Sequence, residues 1–367
     1  LAYLFLLYEV MGVVTNLSAG WVAARFGLTS TLYAGLGLQI VALIALSMLD
    51  PTWGLWGSVV FVMAVQGMSG IAKDLAKMSA KSAVKLLAPK GQGGLFRWVA
   101  VLTGSKNAVK GVGFLLGAAL LAVWGFKPSL WVMAAVLAVI LGGVLVFMPS
   151  GLPKGSKKAR FSEVFSKDRN INILSLARMF LFGARDVWFV VGIPIYFYGV
   201  LSDGSEAGNR VAFFQIGTFM ALWIIGYGAV QAYAPKLLKA VHATLPEIVG
   251  RAIWWVGLLT LIPLILAIAA WADLPELTAV LVVGLLLFGF VFAVNSSVHS
   301  YLILAFTSTE RVTMDVGFYY MSNAMGRLIG TLLSGVSYQI GGLPLCLGTA
   351  AVMAGASFLV ARGLRRS

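Results

Sequence analysis

An all-α polytopic membrane protein is what this sequence predicts, on three observations. Of its 367 residues, 60% are hydrophobic and only 11% charged, with a mean hydropathy of +0.94; a soluble chain of this length needs far more polar surface. The apolar residues gather in windows of about 20, each long enough to cross a bilayer. The basic residues fall in the breaks between those windows. The net charge of +14 therefore reads as membrane topology and not as a nucleic-acid surface.

About eleven spans follow in order, near 1–23, 31–49, 54–75, 96–121, 130–148, 172–199, 210–232, 249–271, 277–303, 316–338 and 344–361. Turn-forming or helix-breaking pairs separate them: Phe26-Gly27, Asp50-Pro51, Lys127-Pro128, Asp203-Gly204, Leu274-Pro275 and Gly341-Gly342. The first span opens at Leu1 with no charged leader and no small-residue cleavage site, so it is read as a helix and not as a signal peptide. The longest polar break, Pro149 to Asn170, holds Lys154, Lys157, Lys158, Arg160, Lys167 and Arg169. It divides the chain into an N-terminal bundle over 1–148, a basic linker over 149–170 and a C-terminal bundle over 171–367.

Loop charge sets the expected orientation. Arg25, the Lys81–Lys85–Lys90 loop, the linker, Lys236, Lys239, Arg311 and Arg362–Arg365–Arg366 share one side. The other side offers Asp50, Asp203, Glu206, Asp273 and Glu276, with Lys127 and Arg210 as its positives. That asymmetry places the linker and C-terminus in the cytoplasm. Five spans and six, joined by a basic linker, are one short of two six-helix halves. The segment Gly20-Trp21-Val22-Ala23-Ala24-Arg25-Phe26-Gly27 resembles the Gly-x-x-x-Asp-Arg-x-Gly loop between the second and third helices of major facilitator transporters, with Ala24 in place of the acid. Its position after the first span here implies the fold of that superfamily with one N-terminal helix lacking.

Charges inside the apolar windows are the candidate functional residues, because each costs a few kcal/mol at that depth. Lys106 and Lys110, at i and i+4, project from one helix face, about 6 Å apart along the axis. They either embrace an anion or pair with carboxylates on facing helices. Gly113 and Gly117 continue that face, so a neighbour or a ligand can come close to the backbone there. Helical spacing groups the rest as Glu9 with Asn16 and Gly20; Gln66 with Gly70, Lys73 and Lys77; Asn323 with Arg327, Gly330 and Ser334; and Arg178 with Arg185, Asp186 lying about 100° round. Lys73 and Lys77 lie near enough to a span end to snorkel. Glu9 is a proton-coupling group or a counter-ion, and Asp186 most simply neutralises a neighbouring cation. His299, in line with Asn295, is a hydrogen-bonded core residue or a proton relay. Among the deep charges Lys106, Lys110, Arg185 and Arg327 face Glu9 and Asp186, and that excess favours an anionic ligand.

Other chemistry is poorly provided for. Cys346 is the only cysteine, and His242 and His299 are far apart, so neither disulfides, a metal centre nor a cofactor is expected. Gly104-Ser105-Lys106-Asn107 lacks the spacing of a phosphate loop and follows no strand. No catalytic constellation is expected and the chain is not read as an enzyme.

Three stretches carry a narrower resemblance: Ser69 to Ser82 (SGIAKDLAKMSAKS), Thr103 to Phe114 (TGSKNAVKGVGF) and Phe182 to Val191 (FGARDVWFVV). Together they resemble the ArsJ family of organoarsenical efflux permeases, over essentially the whole chain. The resemblance implies a bacterial inner-membrane exporter of 1-arseno-3-phosphoglycerate that confers arsenate resistance. Its functional partner would be the glyceraldehyde-3-phosphate dehydrogenase that makes this ester. The residues fit such a cargo. A pentavalent arsenate ester is a hard oxyanion suited to lysine and arginine, whereas trivalent arsenic would want two or three thiolates. In this reading Lys106, Lys110, Arg185 and Arg327 bind the oxyanion ends, and Lys73, Lys77 and Arg178 guide the anion inward. Asn107, Asn323 and Gln66 bond its hydroxyl and carbonyl, while Glu9 and Asp186 balance the empty cavity or exchange protons. The rival readings are a transporter of another organic phosphate or anion, and a non-transporting membrane sensor of the same fold.

Overall fold

A computed structural model describes residues 2–50, 52–88, 94–149, 152, 154–240 and 243–364, without the side chains of 2–8, 114, 115 and 118. Lys90, His242, Arg365, Arg366 and the proline of the Asp50-Pro51 break lie outside the described residues. The long elements are α1 (Ala2–Phe26), α2 (Leu28–Ser47), α3 (Leu55–Leu87), α4 (Gly94–Trp124), α5 (Phe126–Phe147), α6 (Arg169–Val187), α7 (Ile193–Leu201), α8 (Glu206–Leu237), α9 (Leu245–Trp271), α10 (Leu277–Phe306) and α11 (Val312–Ala361). Eight helical stretches among the described residues are long and apolar enough to cross a membrane. One of them, α11, is two helical arms joined at a kink where Gly342 adopts φ 61°, a left-handed conformation open to glycine. The Gly341-Gly342 break thus lies where the sequence places it, as do Phe26-Gly27 and Asp203-Gly204.

Two expectations require correction. Lys127-Pro128 is no break, because both residues lie in the first turn of α5. The chain turns earlier, at Gly125 with φ 75°, and proline is tolerated in a first turn, where its missing N–H has no partner to lose. Nor do Lys81 and Lys85 form a loop. α3 continues to Leu87, with Ala72, Leu75, Met78, Ser79 and Ser82 buried, a spacing of three and four that keeps one face packed after the hydrophobic window ends.

Packing divides the chain into two compact units. One comprises Leu1–Leu87, Leu115–Ser166 and Thr307–Met321, the other Ala88–Phe114, Lys167–Phe306 and Ser322–Ser367. In the first, α2 packs on α1, α3 and α5, around a small core of Leu43, Leu130 and Ala134. In the second, α10 packs on α6, α8 and α9. Its stretch from Val291 to Ser300 is buried throughout, the pattern of a helix enclosed on all sides. That stretch includes Asn295, Ser296, Ser297, His299 and Ser300, so the centre of the second unit is polar. Between α6 and α7 the chain widens into a π turn over Trp188–Gly192. Pro194 follows directly, and its missing N–H disrupts the regular ladder at that point.

Candidate functional site

The charged face of α6 is built around Phe182 in the second unit. The Arg178 guanidinium lies 3.9 Å from the Phe182 ring centroid and that of Arg185 lies 4.9 Å away, so two cations about two turns apart share one aromatic ring. Arg178 is buried. Its Nε donates to Asn323 Oδ1 at 3.0 Å and its Nη1 to Ser296 Oγ at 2.9 Å and Ser296 O at 3.2 Å. Neutral acceptors from α10 and α11 thus hold a guanidinium expected to guide anions inward, and Asn323 is engaged in that task. Arg178 is buried and Asn323 partly buried.

One turn on, Asp186 gathers the other two arginines. Arg185 Nη2 lies 2.5 Å and Arg327 Nε 3.7 Å from its carboxylate oxygens, and the Asp186 side chain is only 4% exposed. The sequence stripe Asn323, Arg327 and Gly330 accounts for the approach of α11. A Cβ at Gly330 would lie 3.0 Å from Asp186 Cβ and 2.7 Å from Gly183 O, so the missing side chain lets α11 settle against α6. Side-chain exposures of 18% for Arg185 and 32% for Arg327 leave both guanidinium groups reachable. Asp186 thus pairs with both arginines and brings Arg185 and Arg327 together.

A neutral hydrogen-bond chain runs through the same unit. Asn107 Nδ2 donates to Gln231 Oε1 at 2.5 Å, and Gln231 Nε2 donates to Ser296 Oγ at 3.1 Å. Tyr227 also donates to that oxygen, at 3.0 Å, and Ser297 Oγ donates to Gln231 O at 3.1 Å. Asn107 is therefore tied to α8. The two helices meet where Gly104 and Gly228 face one another; a Cβ on Gly228 would lie 2.5 Å from Ala108 N. No neighbouring helix comes close at Gly113 or Gly117 among the described residues, since a Cβ at either would meet nothing within 4 Å. Lys106 and Lys110 are exposed on α4. His299 and Asn295 are fully buried, and neither ring nitrogen nor either amide atom has a hydrogen-bond partner among the described residues. His299 is thus a core residue without the hydrogen bonds expected of it.

The first unit holds a second charged cluster. Lys77 Nζ lies 2.7 Å from Asp74 Oδ1 and donates to Asn16 Oδ1 at 2.6 Å. Thr15 Oγ1 and Asn16 Nδ2 donate to Asp74 Oδ2 at 2.7 and 3.1 Å. Lys77 lies 4.3 Å from the Tyr320 ring centroid, and buried Lys81 lies 4.9 and 5.1 Å from those of Tyr319 and Tyr320. The snorkelling expected of Lys77 does not occur, because a buried carboxylate one turn away on its own helix captures the ammonium. Lys73 and Gln66 are exposed, whereas Glu9 is buried. Asp74, Lys81, Gln231, Ser296 and Tyr227 escaped the sequence reading. Only Asp74 offered a signal, its i,i+3 spacing to Lys77.

Among the described residues no three His, Cys, Asp or Glu side chains converge as metal ligands would. No protein-family model matches the chain, and no curated protein matches it by sequence. Solved structures do match in shape. A bacterial homologue of the iron transporter ferroportin, in its outward-facing state, superposes with a TM-score of 0.78 at 15% identity, covering 98% of this chain and 89% of that one. The human organic anion transporter MFSD10 (TETRAN) gives 0.69 at 19% identity, covering 97% and 83%. The major facilitator superfamily transporter FucP, in its outward conformation, gives 0.73 at 13% identity, covering 100% and 90%. The chain is a multi-pass membrane protein with the major facilitator superfamily fold.

Proposed function

We propose that this chain is an efflux transporter of an organic oxyanion, with 1-arseno-3-phosphoglycerate as its cargo, working by alternating access with the linker on the cytoplasmic side. The observation that carries the reading is the pair of partly exposed arginines, Arg185 and Arg327, converging on Asp186. Arginine forks match phosphate-type oxygens in a bidentate fashion, and an arriving oxyanion can take the place that Asp186 fills. Lys106 and Lys110, exposed on α4, add point charges of the same sign. A cation such as the iron that ferroportin is named for transporting would meet two guanidinium groups here, whereas the cargo class named for MFSD10 has the matching sign. The resemblance of Thr103–Phe114 and Phe182–Val191 to organoarsenical permeases supports the narrower cargo. Export of a polyanion from a negative-inside cell runs with the membrane potential, by about 2.3 kcal/mol per charge per 100 mV.

Everted vesicles containing the full-length protein test this. Arsenate, glyceraldehyde 3-phosphate, NAD and purified dehydrogenase are supplied together and singly, and arsenic accumulation is followed. The expected result is accumulation that needs every component. Accumulation with arsenate alone, or none with the full mixture, overturns the arsenate-ester assignment. Competition by 3-phosphoglycerate at equal strength would make the cargo organic phosphates in general.

A further inference from the structure

The end of α1 and the linker segment form a basic site of their own. We propose that this site binds the phosphodiester headgroup of an anionic phospholipid. Two adjoining recesses of about 740 and 770 Å³ share Arg25 and Lys157 in their walls. Around them stand Arg25, Lys154, Lys157, Lys158 and Arg160, all exposed, against the single carboxylate of Glu163. None of the five cations has a carboxylate within ion-pair distance among the described residues.

These cations stand on a fixed frame. Ser156 N donates to Ala24 O at 2.8 Å, and Trp21 Nε1 donates to Ala159 O at 3.2 Å. Phe161 packs edge-on against Trp21 at 5.8 Å, Val164 is fully buried, and Arg311 Nη2 donates to Glu163 O at 3.0 Å. A Cβ on Gly155 would lie 2.5 Å from Gly27 N, so the linker lies flat on the α1–α2 turn. The residue beside Arg25 on α1 is Ala24, which supplies a carbonyl to the linker and no charge to the arginine.

Position selects the lipid among phosphate-bearing anions. Arg25 is in the last turn of α1, and α2, apolar enough to span a membrane, begins at Leu28. The recess therefore opens at the level where acyl chains give way to headgroups. Exposed Phe26 and Phe161 line the same recesses, as aromatic side chains do at a membrane boundary. Clustered lysines and arginines immediately beyond a membrane helix attract anionic headgroups, each contributing roughly a fivefold gain in affinity. The proposal is independent of the transported cargo.

The test is native mass spectrometry of the detergent-solubilised full-length protein titrated with dioleoyl phosphatidylglycerol, with dioleoyl phosphatidylcholine as the neutral arm. The expected result is retention of phosphatidylglycerol over phosphatidylcholine, weakened about a hundredfold in the triple variant Arg25→Gln/Lys157→Gln/Arg160→Gln. The control Lys236→Gln/Lys239→Gln, which removes two cations from the end of α8, should bind like wild type, and single variants serve if the triple does not fold. Equal retention of the two lipids, or equal loss in variant and control, overturns the site. Displacement of the lipid by millimolar inorganic phosphate would make it a soluble-phosphate site and overturn the lipid assignment.

Discussion

Asp74 and Asp186 are equally buried, with side chains 6% and 4% exposed, yet they are satisfied in different ways. Asp74 takes one ammonium from its own helix and neutral donors from Thr15 and Asn16 on α1. Asp186 takes two guanidinium groups, Arg185 beside it and Arg327 from α11. A buried carboxylate with neutral donors on its remaining lone pairs has its hydrogen bonds met by the fold, and it fastens one helix to another. A carboxylate shared by two partly exposed arginines is instead read as a placeholder for an arriving oxyanion. The first cluster is read as a fastener and the second as a site.

Arg185→Gln gives the largest expected effect on that contrast. Transport should fall to the level of vesicles without the protein, with expression and thermal unfolding close to wild type, because the arginine is partly exposed and Asp186 keeps Arg327. Transport at wild-type rate by this variant would remove Arg185 from the site and dissolve the distinction. Asp74→Ala should do the opposite and act on stability first. Removing one partner of a buried pair typically costs about 3–5 kcal/mol, because the other charge is left buried. Lys77→Met in the Asp74→Ala background should recover part of that loss in a thermal-unfolding double-mutant cycle. Additive losses would mean that the pair is not a fastener.

The two clusters were not equally legible in the sequence. The Asn323, Arg327 and Gly330 stripe could be read from spacing alone, and its partner helix is the one carrying Arg178, Arg185 and Asp186. Asp74 and Lys77 were also within reach, being three residues apart on one helix. Arg178 with Ser296 and Asn107 with Gln231 were not, because 118 and 124 residues separate them and helix pairing in space decides the contact. Periodicity shows which face of a helix is polar, whereas the facing partner depends on where backbones can approach. On α4 that place is Gly104 and not Gly113, although both are glycines in the same apolar helix. The continuation of α3 beyond its hydrophobic window was missed for a related reason. Its later turns are held by packing of Met78, Ser79 and Ser82 and not by apolarity.

That difference along α4 can be measured. Gly228→Ala places a methyl group 2.5 Å from Ala108 N and 2.6 Å from Gly104 O, both backbone atoms that cannot swing aside. A loss of about 1–3 kcal/mol is expected in thermal unfolding, as for other overpacked contacts. Gly113→Ala enters open space and should be neutral or gain about 0.5–1 kcal/mol from helix propensity. If the Gly113 variant is the more damaging, the α4–α8 crossing is misplaced.

An exposed carboxylate supplies the last and smallest contrast with the two buried ones. Asp203, in the loop before α8, accepts the Ser205 hydroxyl at 2.7 Å and the Ser205 N–H at 2.9 Å. Those two bonds, the hydroxyl first, hold its carboxyl below the usual value. Ser205 in turn caps α8 by accepting from Gly208 N at 2.9 Å. With the folded pKa below the unfolded one, near 3.9, the contribution to stability is fully present above pH 4 and is lost as the pH falls through the folded value. Asp203→Asn should therefore lower the unfolding temperature slightly and equally at pH 7 and pH 5, with the gap closing below about pH 4. Asp74→Ala should cost far more at pH 7, where both carboxylates are compared in their folded partnerships. If the exposed loop variant proved as damaging at pH 7 as the buried one, burial would not be what separates a fastener from a surface cap.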